Sequence, residues 1–63
     1  MLKYGEKAPE PYSNYIVASL GYENKHDAYT DIKNFYKGEE ATTFFDIETN
    51  EWHIIVKKAK EVQ

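Results

Sequence analysis

The sequence predicts an α+β domain of order β-α-β-β, with one helix packed on a three-stranded, mainly antiparallel sheet. Three observations carry this. Residues 15–20 form a β-branched and aromatic run that ends at a glycine. Residues 24–37 keep a helical period between a good start and a good stop. Two further β-prone runs, 42–47 and 51–58, flank a short polar turn. The 63 residues allow one domain. A chain this short buries only about 60% of the surface it exposes when unfolded, so its core is thin.

Residues 1–14 read as an extended tail before a single domain at 15–63. Gly5, Pro9 and Pro11 punctuate it, and Ala8-Pro9-Glu10-Pro11 favours extended backbone. Leu2, Tyr4 and Tyr12 are the side chains that would tack it onto the domain; a loose tail is the alternative. In the first strand, Tyr15-Ile16-Val17-Ala18-Ser19-Leu20, strict alternation puts Ile16, Ala18 and Leu20 toward the core and Tyr15, Val17 and Ser19 away from it.

The helix has the clearest signals. Asn24 is a good N-cap with Asp27 three residues on, and Gly38 suits the left-handed residue that ends helices. Ala28, Tyr29, Ile32, Phe35 and Tyr36 fall within an arc of roughly 120° that should face the sheet. The last two runs read as a hairpin, with Asn50 able to take the left-handed conformation of the turn. With Thr49 and Asn50 as the loop, Ile47 opposes Trp52, Phe45 opposes Ile54 and Thr43 opposes Val56 on the helix side. Asp46 then opposes His53, and Phe44 opposes Ile55, on the far side. A four-residue loop keeps the same faces. The third strand is the longest and most apolar, so it belongs in the centre, giving the order 2-3-1.

One helix covers one side of such a sheet. The far side then carries Tyr15, Val17, Phe44 and Ile55, rimmed by Asp46 and His53. An apolar centre with a polar rim is how recognition surfaces are built. These six residues are the candidate partner-binding site, for another protein or for a second copy of the chain as a homodimer. The competing reading folds the tail over them. On the binding reading, Phe44→Glu or Ile55→Lys spares the fold and abolishes association.

Chemistry leaves few traces. There is no cysteine, hence no thiolate metal site or redox motif, and a cytoplasmic, reducing setting is expected. The N-terminal residues lack the apolar core of a signal peptide, and no stretch reaches membrane-spanning length. His53 can pair with Asp46, but no third group or nucleophile accompanies them, and the plain reading is a cross-strand polar pair. Asp27 and Asp31 share a helix face and more simply serve the helix dipole than a metal. The net charge of −3 is too small for a mimic of DNA. All eight basic residues are lysines, and without arginine nucleic acid is disfavoured as a partner, although Tyr15 and Phe44 have the placement for stacking bases.

The expected function is therefore a small acidic, non-enzymatic protein-binding module with no cofactor, metal, small-molecule substrate or membrane. Size and acidity suit a regulator or inhibitor of a larger protein, such as phages and mobile elements encode. The alternative is a sheet protein that binds single-stranded nucleic acid.

Overall fold

The computed structural model describes residues 2–57, arranged as β1 (Tyr15–Tyr22), α1 (Lys25–Phe35), β2 (Ala41–Asp46) and β3 (Glu51–Lys57). The expected continuation of the last strand through Lys58, and residues 59–63, lie outside the described residues. The sheet order is β1-β3-β2 with both pairings antiparallel. The most apolar strand thus takes the centre, where both its neighbours and both faces cover it.

β1 departs from simple alternation. Val17 lies opposite Ile55, but Ser19 lies opposite Ile54, so Ala18 is an extra residue in the ladder. A bulge of this kind flips the side-chain parity downstream of it. Ile16 therefore stays on the helix side with Val56, while Leu20 moves to the far side and packs with Val17 and Ile55. Ser19 takes the helix side instead, and a second register shift between Ser19 and Tyr22 brings Tyr22 to the same side, where its hydroxyl meets Ser19 and Asp31 of α1. The Tyr36 hydroxyl donates to the Ala18 carbonyl at 3.4 Å, giving the bulged residue a partner.

The hairpin keeps the expected faces but not the expected register. Asp46 lies opposite Glu51, Phe45 opposite Trp52, Phe44 opposite His53 and Thr43 opposite Ile54. The loop is Ile47 to Asn50, closed by the Asn50 N–H on the Asp46 carbonyl at 2.8 Å. Asn50 has φ 59, the left-handed conformation its type tolerates. The wider loop lifts Ile47 out of the ladder, and it is 84% exposed rather than part of the core.

α1 begins where the cap predicted it: the Asn24 side chain accepts the Asp27 N–H at 2.9 Å. Asn24→Ala should cost about 1 kcal/mol, read as a lower urea midpoint with unchanged slope. Ala28 is fully buried at the contact with the sheet, and Ile32 and Tyr36 are partly covered. Tyr29 and Phe35 are 51% and 73% exposed, so the covered stripe is narrower than the apolar arc. Phe35 points in nearly the same direction as Ala28, but it sits about 10 Å further along the axis, in the last turn. Tyr29 lies on the flank, with the Lys33 ammonium 5.4 Å from its ring centroid.

The N-terminal segment completes the molecule. Residues 5–8 run along the outer edge of β1, with Lys7 bridged antiparallel to Ile16. Gly5 donates to the Val17 carbonyl, Val17 to that of Glu6 and Ala8 to that of Tyr15, all at 2.9–3.0 Å. Gly5 has φ 77 in the turn that allows this approach. A second turn at Pro9–Tyr12 contains a cis Glu10–Pro11 bond and is closed by the Tyr12 N–H on the Pro9 carbonyl. Ala8 is buried against Val17 and Ile55, and Leu2, Tyr12, Tyr15, Leu20 and Phe44 pack around them. Tyr4, one of the residues expected to tack the tail down, is instead 68% exposed. The sheet therefore lies between α1 on one side and the side chains of Leu2, Ala8 and Tyr12 on the other.

Candidate functional site

The structure gathers the six predicted site residues on one face of the sheet, as expected, but beneath a cover. Val17 and Ile55 are 2% and 0% exposed, under Ala8. Asp46 and His53 are also buried. Tyr15 and Phe44 remain half-covered because the Tyr12 ring meets both edge-on, at 5.6 and 5.8 Å between centroids. That arrangement also occupies the platform on which Tyr15 and Phe44 would stack bases. The far face is a second core layer.

His53 and Asp46 tie this layer together. Their side chains meet diagonally across the hairpin, with His53 Nε2 3.2 Å from Asp46 Oδ2. The Gly21 N–H of β1 donates to Nδ1 at 3.3 Å, so Nδ1 presents its lone pair and Nε2 carries the hydrogen. One imidazole thus links all three strands. The other oxygen, Asp46 Oδ1, accepts the Glu48 N–H at 3.0 Å and fixes the loop. Burial works to raise the Asp46 pKa, but the His53 and Glu48 hydrogen bonds outweigh it and hold the carboxyl below its usual value of 3.8. The Thr49 hydroxyl acts in the same sense from nearby, although it makes no hydrogen bond of good geometry. Every polar atom of the pair is engaged in holding the hairpin and β1.

The Tyr22 hydroxyl holds Asp31 at 2.6 Å, and burial, then the bond to that carboxylate, raises the phenol pKa. Among the described residues no group of three His, Asp or Glu side chains is placed to hold a metal ion. No helix among them is long and apolar enough to cross a membrane.

Exposed apolar surface lies elsewhere. Phe45 is 39% exposed on the helix side of β2, its ring 5.2 Å from that of Trp52, and the Lys25 ammonium lies 5.8 Å from the Trp52 ring centroid. Ile47 follows it into the loop. A cleft of about 290 Å³ opens beside them, lined by Leu2, Pro9, Phe44, Phe45, Ile47 and the acids Asp46 and Glu48. Its walls include residues from both faces of β2 and from the hairpin loop. The Lys57 N–H donates to the Glu40 carbonyl, which sets the alternation of the ladder: Thr42, Phe44 and Asp46 turn their backbone groups to β3, and Thr43 and Phe45 turn theirs outward. No backbone hydrogen bond from another element meets Thr43 or Phe45 among the described residues. Sequence reasoning missed this region because it assigned Phe45 and Ile47 to the core. The absence of any charge from Ala41 to Phe45 was the available signal of an unguarded edge.

Comparison with known proteins gives no match: no family model, no curated protein and no solved structure is similar to the chain.

Proposed function

We propose that the chain is a non-enzymatic protein-binding module, a small cytoplasmic regulator or inhibitor of a larger protein, and that its partner docks at the loop end of the β2–β3 hairpin. The observation that supports this reading is the 84% exposure of Ile47 beside an apolar cleft bordered by Asp46 and Glu48. A domain with so little core gains nothing in its own stability from an isoleucine in solvent. An apolar anchor with a polar rim fits an interface centre. The absence of cysteine suits a reducing compartment.

Ile47→Lys separates binding from folding. The side chain lies outside the ladder and the core, so the substitution should change stability by no more than about 0.5 kcal/mol. The immobilised wild-type protein should retain a specific protein from a lysate of its source cells, and the Ile47→Lys protein should not. Identical retained proteins on both would contradict the reading.

A further inference from the structure

The charges of α1 are sorted by side. Lys25, Tyr29 and Lys33 stand four residues apart and form one row along the helix. Asp27 and Asp31 lie on the opposite side, where Asp31 accepts the Tyr22 hydroxyl of β1. No carboxylate stands three or four residues from either lysine in the sequence, which removes the usual partners on a helix surface. Neither lysine makes an ion pair among the described residues. The hairpin acids Glu40 and Asp46, by contrast, are paired with Lys57 and His53.

The two lysines lie against aromatic rings. The Lys33 ammonium is 5.4 Å from the Tyr29 ring centroid and the Lys25 ammonium 5.8 Å from that of Trp52. Such contacts hold an ammonium group in place without neutralising it. Tyr29, between the lysines, is 51% exposed. An open cleft of about 540 Å³ lies against Lys25, His26 and Tyr29, and among the described residues only these three border it. That is too little wall for a small molecule, whose sites bury most of the ligand. The row is about 12 Å long at about 1.5 Å per residue, a distance that an extended peptide covers in about four residues.

Complementary charge names the occupant. Two unpaired cations on either side of an exposed ring suit two carboxylates on either side of an apolar residue. A nucleic-acid strand is a continuous polyanion, and beyond this row it would meet Glu23 before α1 and Glu39 after it.

We propose that the Lys25–Tyr29–Lys33 row binds an extended acidic segment of a partner protein. The segment lays an apolar side chain on Tyr29 and sets one carboxylate against each lysine, the two acids four residues apart. The proposal rests on the protein-binding reading above, and it carries the interface from Ile47, past Phe45 and Trp52, onto α1.

The test is selection of displayed random octapeptides on the folded protein at low salt, the selected peptides then being measured against Lys25→Gln/Lys33→Gln. Both lysines are exposed, so this variant keeps the fold, which circular dichroism checks. Selected peptides should carry two acids flanking an apolar residue. They should bind the variant about fivefold or more weakly and lose affinity as salt rises. Lys25→Glu/Lys33→Glu should prefer the same peptides with lysine in place of the two acids. Selected peptides without acids, equal binding to the glutamine variant, or no selected peptide at all overturns the acidic segment. Each of these leaves the protein-binding reading standing, since that reading falls on the Ile47→Lys retention experiment. Oligothymidylate that binds through the same lysines more tightly than the selected peptides overturns the proposal in favour of nucleic acid.

Discussion

Ile55→Lys should unfold the protein. Ile55 has no exposed surface and lies in the central strand, under Ala8 and beside Val17. At roughly 0.05–0.15 kcal/mol per residue, a chain of this length has a total stability of about 3–9 kcal/mol. A lysine confined there must stay charged without a partner or give up its proton, and either costs several kcal/mol. Ala8→Asp should do the same from the other side of the contact, through a residue that sequence alone places in a tail. The far-ultraviolet circular dichroism of both variants should be that of an unfolded chain. Ile55→Val is the folded companion, costing about 0.5–1.5 kcal/mol through the lost methylene. An unchanged spectrum for Ile55→Lys would mean that the face is open surface, the original candidate binding site.

The second large effect is expected at Asp46. Asp46→Ala leaves the buried His53 Nε2–H without an acceptor and releases the Glu48 N–H that fixes the loop. The expected loss is about 2–3 kcal/mol, a large part of the total. The effect should depend on pH in one direction. The folded Asp46 pKa lies below its unfolded value, so the unfolded chain binds the proton more tightly. The stabilisation is complete above the unfolded value of about 3.9 and disappears as pH falls through the lower folded value. Urea midpoints of the wild type should therefore fall through this acid range more steeply than those of Asp46→Ala. Parallel curves would show that the carboxylate contributes nothing to the fold.

Much of the architecture is legible in the residues because each element carries its own local signal. Asn24 and its period mark α1, Asn50 marks the hairpin turn, and the apolar length of β3 places it in the centre. The bulge at Ala18 is not legible: alanine fits a regular strand as well as an irregular one, and only the pairing with Ile54 and Ile55 reveals the extra residue. The one-residue flip sends Leu20 to the face that strict alternation denies it. The hairpin loop is two residues longer than the shortest reading, and that alone moves Ile47 from core to solvent.

The Asp46–His53 pair was legible from alternation, and its depth was not. Its burial depends on Gly21 from another strand and on the cover over the face they share. That cover had only an indirect signature: an apolar face with nothing to hide it, and Leu2 and Tyr12 in a segment with no strand pattern of its own. Phe45 and Ile47, which a count of hydrophobic positions assigns inside, remain exposed, as do Tyr29 and Phe35 on the helix.

The central claim is that the N-terminal segment is a structural layer of the domain and not an appendage. Native-state hydrogen exchange at the Gly5, Ala8 and Val17 amides tests it most directly, because these donors join the segment to β1. The expected result is that Ala8 and Val17 exchange only through global unfolding, with the same free energy as the amides of β3, and that Gly5 is clearly protected. Rapid exchange at Gly5 and Ala8 beside a protected β3 would show that the segment opens on its own, and would return the Val17–Phe44–Ile55 face to the surface.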